Sequence, residues 1–184
     1  DSFTPAQLST TVKNLAVICE DVHVDFVEAL VRQLQRRLGG FSAQQLAAIG
    51  WGLMRLMPVA HEEVRLALGM DQQWLESYTA AAEQQLRLVL QPPPLPPLQQ
   101  QQQQGVPLQQ QQQQGVPLPV SRLPSAQQVA NLLLLPAAAL LPLQPSLLGV
   151  LEDVLLLRQA SLCGYAVAQL LTCYVRCGNA RWGM

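Results

Sequence analysis

The sequence predicts an all-α fold in which helical-hairpin repeats with a 38-residue period stack as an α-solenoid, interrupted by a disordered Gln/Pro insert. Three observations predict it. The stretch FSAQQLAAIGWGLMRL from Phe41 echoes FTPAQLSTTVKNLAVI from Phe3, and LCGYAVAQLLTCYVRCG from Leu162 follows PSAQQVANLLLL from Pro124 at the same offset of 38 positions. Self-similarity at such a period is the signature of stacked supersecondary units. Composition is 49% hydrophobic but only 5% aromatic, with Leu, Ala and Gln recurring. Such side chains lose little rotamer freedom in a helix. Within each echo, apolar residues recur at helical spacing.

The first helix runs from Thr4 to Cys19, with Leu8, Val12, Leu15 and Cys19 as its apolar stripe, Thr4 as N-cap and Pro5 at its first position. A second helix carries Phe26, Leu30, Leu34 and Leu38, with Arg32, Arg36 and Arg37 off that stripe, and Gly39-Gly40 end it. In the second unit Ser42 caps and Leu46, Leu53 and Leu56 hold the stripe. Gly50 and Gly52 interrupt that helix at about 1 kcal/mol each relative to Ala, which predicts a close helix approach in compensation. A longer connection with one short helical turn leads to WLESYTAAAEQQLRLVL, where Trp74 takes the place of Phe26.

Residues 91–123 form a Pro/Gln-rich linker in which LQQQQQQGVP occurs twice. Proline cannot continue a helix and polyglutamine buries no apolar surface, so this segment reads as a spacer. The organisation is therefore two hairpins over 1–90, the linker, and over 124–184 a further repeat plus the first helix of a fourth. Pro136 falls inside the first helix of the third repeat and predicts a distortion there. The uncharged run from Leu123 to Leu151 is long enough to span a bilayer, but its prolines and the Glu152-Asp153 that follow favour a buried hairpin.

The formal charge of −1 provides no overall field to attract a polyanion, so contact with nucleic acid must come from a local patch. Of 11 basic residues only Lys13 is a lysine. Four cysteines, at 19, 163, 173 and 177, lack the density and spacing of a disulfide framework and point to a reducing compartment. A chain that begins at Asp1 reads as a fragment or a processed product.

The units resemble octotricopeptide repeats, the 38-residue helical hairpins found mostly in organellar proteins of green algae. The resemblance rests on FSAQQLAAIGWGLMRL with Trp51, FTPAQLSTTVKNLAVI, PSAQQVANLLLL, and MDQQWLESYTAA with Trp74. Lys13, Leu134 and Thr172 depart from it by replacing the tryptophan of the pattern. It implies an α-solenoid of a chloroplast or mitochondrion that lays single-stranded organellar RNA along one face, for transcript stabilisation, processing, translation or ribosome assembly. Polar side chains at a fixed repeat position would read base edges, with basic residues nearby for phosphate.

The position seven after each repeat start holds Thr10, Ala48, Asn131 and Gln169, and a second column holds Val17, Arg55, Ala138 and Arg176. The candidate RNA contacts are Thr10, Lys13, Asn14, Arg55, Asn131, Gln169 and Arg176. Trp51 and Trp74 read as packing residues. The other reading of the chain is a protein-interaction scaffold within an organellar assembly.

No nucleophile, phosphate loop or dinucleotide motif is present, and no enzyme, cofactor or metal is expected. Cys163, Cys173 and Cys177 lack a fourth ligand for zinc and read as buried thiols. His23 and His61 stand alone in connections, and Asp21, Asp25, Glu62 and Glu63 read as charges at helix N-termini.

Overall fold

A computed structural model of the chain describes residues 3–18, 23–56, 62–91 and 123–179. The described residues are all-helical and contain no strand. The helices are α1 (Pro5–Ile18), α2 (Val24–Gln35), α3 (Ala43–Leu56), α4 (Glu62–Ala67), α5 (Gln72–Leu90), α6 (Ala126–Leu132), α7 (Leu134–Ala138), α8 (Pro145–Leu157) and α9 (Gly164–Asn179). Cys19, His61 and nearly all of the Gln/Pro insert lie outside the described residues.

Three first helices begin with the same device. Thr4, Ser42 and Ser125 each accept a hydrogen bond from the backbone N–H three residues on, at 3.2 to 3.3 Å, through Oγ1 or Oγ. Gln7, Gln45 and Gln128 each return the favour to the cap's own N–H, at 2.7 to 2.8 Å. These reciprocal capping boxes satisfy backbone donors that a helix start otherwise leaves open.

The first helices pack in a row: α3 lies between α1 and α6, and α6 between α3 and α9, while α5 packs on both α3 and α8. One core of Leu, Val and Ala side chains runs from Leu8 to Cys177. Helix α3 is the centre of that row, and its glycines are the reason it fits. A Cβ on Gly52 would lie 2.5 Å from Val12 Cγ1 of α1, and one on Gly50 would lie 2.5 Å from Tyr78 Oη and 2.9 Å from the Asn131 carbonyl of α6.

Side chains also tie segments that lie far apart in sequence. Arg37, just after α2, donates to the Phe3 carbonyl that precedes α1, and Arg158, just after α8, donates to the Leu123 carbonyl that precedes α6. Gln85 of α5 reaches the Gly39 carbonyl at 3.5 Å. Glu83 of α5 accepts from Ser146 Oγ of α8 at 2.9 Å and pairs with Arg87 on its own helix at 2.8 Å.

Pro136 has the expected effect. The first helix of the third unit breaks at Leu133 into α6 and α7, because a proline at 136 has no N–H to give to the preceding turn. Helix α7 then ends with Leu140 at φ 54°, where Leu141 N–H bonds to the Pro136 carbonyl and Leu140 N–H to the Ala137 carbonyl. Gly69 closes α4 in the same left-handed way at φ 70°.

Two local expectations change. Gly39-Gly40 do not end α2, which stops at Gln35; they belong to a 3-10 turn, Leu38–Gly40, that carries Leu38 into the core. Trp74 and Phe26 are not equivalent either: Trp74 is fully buried and stacks on Tyr78, whereas Phe26 is 47% exposed and Val27, Leu30, Val31 and Leu34 form the buried stripe of α2. None of the described helices is long and apolar enough to cross a membrane.

Candidate nucleic-acid interface

Helical geometry places residues three and four apart on one face, so Thr10, Lys13, Asn14 and Val17 form a single stripe along α1, and all four are exposed. The buried side of the same helix is Leu8, Ser9, Val12 and Ala16. On α3 the corresponding position is Ala48, half-buried and without a hydrogen-bonding side chain.

Asn131 and Gln169, which hold the same repeat position, are brought into direct contact. Gln169 Nε2 donates to Asn131 Oδ1 at 3.1 Å. Gln127, four residues before Asn131 and so on the same face of α6, donates through Nε2 to Asn131 Oδ1 at 3.0 Å and to Gln169 Oε1 at 2.7 Å. The three half-buried amides form one cluster bridging α6 and α9. Asn131 Nδ2 and Gln127 Oε1 make no hydrogen bond among the described residues, so a donor and an acceptor remain for an incoming polar edge. The AQQVAN spacing carried a signal for Gln127, since an amide four residues from another faces the same way; sequence reasoning missed it by following one column alone.

The basic candidates divide by what already occupies them. Arg55 is exposed, yet its Nε donates to the Ala16 carbonyl in the last turn of α1 at 2.9 Å, and its guanidinium carbon lies 5.7 Å from the Trp51 ring centroid. Positive charge is favourable at that helix end, where carbonyls lack partners. Its two terminal nitrogens make no hydrogen bond among the described residues and are free to meet a phosphate. Arg176 is exposed in the last turn of α9, one turn from Thr172 and two from Gln169. In the same column Val17 is exposed and Ala138 is buried.

Trp74 lies in the core against Tyr78, with ring centroids 5.7 Å apart, and its Nε1 has no hydrogen-bond partner among the described residues. Trp51 is half-buried. Tyr78 donates to the Leu46 carbonyl at 3.0 Å, and burial pushes its phenol far above the ordinary range.

Cys173 and Cys177 lie buried on the inner face of α9, while Cys163 is exposed. Burial pushes the Cys177 thiol up to about 12, helped by Cys173 and opposed by Arg176. Burial raises Cys173 as well, again against Arg176. No group of three His, Cys, Asp or Glu side chains among the described residues is placed to hold a metal ion. His23 and Asp25 lie 3.5 Å apart, both in solvent, and Glu62 and Glu63 occupy the first turn of α4.

No protein-family model matches the chain, and neither a characterised protein nor a solved structure matches it.

Proposed function

We propose that this chain is an RNA-binding helical-repeat protein of a chloroplast or mitochondrion, in which 38-residue hairpins form an α-solenoid. It holds single-stranded RNA along the exposed edges of its first helices, in transcript stabilisation, processing, translation or ribosome assembly, and carries out no reaction of its own. The observation that carries the reading is the amide cluster. Two residues at one repeat position, Asn131 and Gln169, meet at a half-exposed seam with unpaired donor and acceptor groups and an exposed arginine beyond them. Resemblance to octotricopeptide repeats supports it, as does the 38-residue spacing between the starts of α1 and α3 and between those of α6 and α9. The period is not kept by the second helices, because α4 and the insert intervene.

With Lys13, Arg55 and Arg176 as the cations on these edges, few phosphates are neutralised and counterion release is small. Fluorescence anisotropy with homopolymeric RNA should give weak binding with a shallow salt dependence. Arg55→Ala combined with Arg176→Ala should weaken every sequence alike, whereas Thr10→Ala or Gln169→Ala should change base preference and leave the salt slope alone. Tight, steeply salt-dependent binding that survives loss of both arginines would sink this account.

A second reading, a protein-interaction scaffold in an organellar assembly, is favoured by the net charge of −1 and by the apolar outer side of α9. Complete absence of RNA binding would select it.

A further inference from the structure

Tyr165, Gln169, Thr172 and Arg176 follow one another along α9 at intervals of four, three and four residues, which places them on one face of that helix. Tyr165 is 72% exposed, and neither its ring nor its hydroxyl has a partner among the described residues. Its counterparts in the other units are Ala6, Gln44 and Gln127, of which the first two are exposed and the third is half-buried in the amide cluster. Gln44 belongs to α3, which has a first helix packed on either side, so this repeat position faces solvent even in a unit that is flanked twice. Exposure of Tyr165 is therefore a property of the position and not of an uncovered flank. Its neighbour one turn on is Gln169, whose amide joins Asn131 and Gln127 across the seam between α6 and α9. That cluster leaves one nitrogen, Asn131 Nδ2, and one oxygen, Gln127 Oε1, with no hydrogen bond among the described residues.

Resting on the RNA-binding reading above, we propose that this seam holds one unpaired adenine, its ring stacked on Tyr165 and its edge on the amide cluster. A ring in water beside unpaired amides is what a splayed-out base requires, since the phenol meets the base's face while the amides meet its edge. The N6 amine of adenine donates to Gln127 Oε1, and its N1 or N7 accepts from Asn131 Nδ2. Adenine fits because each of its two polar edges carries one donor beside one acceptor and nothing more. Cytosine, guanine and uracil each add a third polar group on the pairing edge, which this cluster leaves unmet. A purine also covers more of the phenol than a pyrimidine does. Arg176, two turns beyond Gln169 on the same face, takes the phosphate of a neighbouring nucleotide, so the strand follows α9.

Fluorescence anisotropy with a short oligouridine carrying one central adenine tests the proposal, against the same strand with uracil, cytosine or unsubstituted purine at that place. The full chain should bind the adenine strand at least about fivefold more tightly than the uracil strand, the lower end of what a base–aromatic stack contributes. Purine, which keeps the stack but lacks the N6 amine, should fall between them. Tyr165→Ala and Tyr165→Leu should lose the preference with Tm and salt slope unchanged, because the ring is in solvent in the free chain and carries no charge, and Tyr165→Phe should keep it. Equal binding of the adenine and uracil strands by the parent, or an undiminished preference in Tyr165→Ala, overturns the adenine site while RNA binding by the chain stands. A preference kept by Tyr165→Leu as well as by Tyr165→Phe shows apolar contact without stacking and overturns it also. Failure of the parent to bind any of the four strands overturns both readings.

Discussion

A methyl group added at Gly52 would sit 2.5 Å from Val12 Cγ1 and 3.1 Å from the Val12 carbonyl oxygen. In an exposed helix the same change stabilises by about 1 kcal/mol, through backbone entropy. Here a backbone atom of α1 is in the way, so Gly52→Ala should cost about 1 to 3 kcal/mol in urea unfolding, the range of overpacked cores. A result at or above parental stability would show that α1 and α3 have room to part. Leu140 presents the opposite case. It adopts φ 54° at an exposed helix end where a β-carbon is unfavourable. Leu140→Gly should therefore leave stability unchanged or raise it by up to about 1 kcal/mol, because relief of strain there competes with the greater freedom of glycine in the unfolded chain.

Helix α6 has only seven residues, too short to persist by propensity, and it is held by its capping box and its neighbours. One of those holds is the amide cluster to α9, in which Asn131 Oδ1 accepts from both glutamines. Removing one amide leaves the others short of a partner, so the effects should not add. Gln127→Ala and Asn131→Ala singly should each cost about 0.5 to 1.5 kcal/mol, and the double variant should cost less than their sum by at least about 0.5 kcal/mol. A double-mutant cycle by urea denaturation measures this, and strict additivity would mean that the cluster does not act as a unit. On the proposed RNA-binding reading, base preference should be coupled in the same way, with Asn131 and Gln169 behaving as one reading element and not two.

Across the whole molecule, burial keeps several ionisable groups neutral to higher pH in the folded chain than in the unfolded one. Cys177 is pushed up to about 12, and Cys173 and Tyr78 are raised, all by burial first. In the unfolded chain a thiol titrates near 8.5. Above that pH the unfolded state has released protons that the folded state still holds, so stability is complete below about pH 8.5 and falls as pH rises toward the folded values. Thermal melts should show Tm declining above about pH 9, and Cys173→Val/Cys177→Val should shallow that decline. The same burial governs reactivity. In a Cys19→Ser background, a disulfide reagent at neutral pH should label one thiol quickly, Cys163, and the other two only on unfolding; rapid labelling of all three would mean that α9 leaves the core.

Much of the helical content was legible in the sequence because it is a local property. The apolar spacing of Leu8 and Val12 or Leu46 and Leu53, the caps Thr4 and Ser42, and the break at Pro136 each need only the residues within a few turns. Gly50 and Gly52 announced a close approach for the same reason: their cost had to be offset somewhere. What approaches them was decided by tertiary structure, since Val12, Tyr78 and the Asn131 carbonyl lie far away in sequence. The end of α2 at Gln35 and the exposure of Phe26 were settled there too, by which side chains the core could accept. The candidate site divides along the same line. Its column of Thr10, Asn131 and Gln169 could be drawn from the repeat offset alone, but the joining of Asn131 to Gln169 through Gln127, and the engagement of Arg55 with the end of α1, exist only because neighbouring first helices lie side by side. A periodic sequence specifies which residues are equivalent; contact between equivalent residues depends on the packing distance and rotation of whole helices, which no single segment contains.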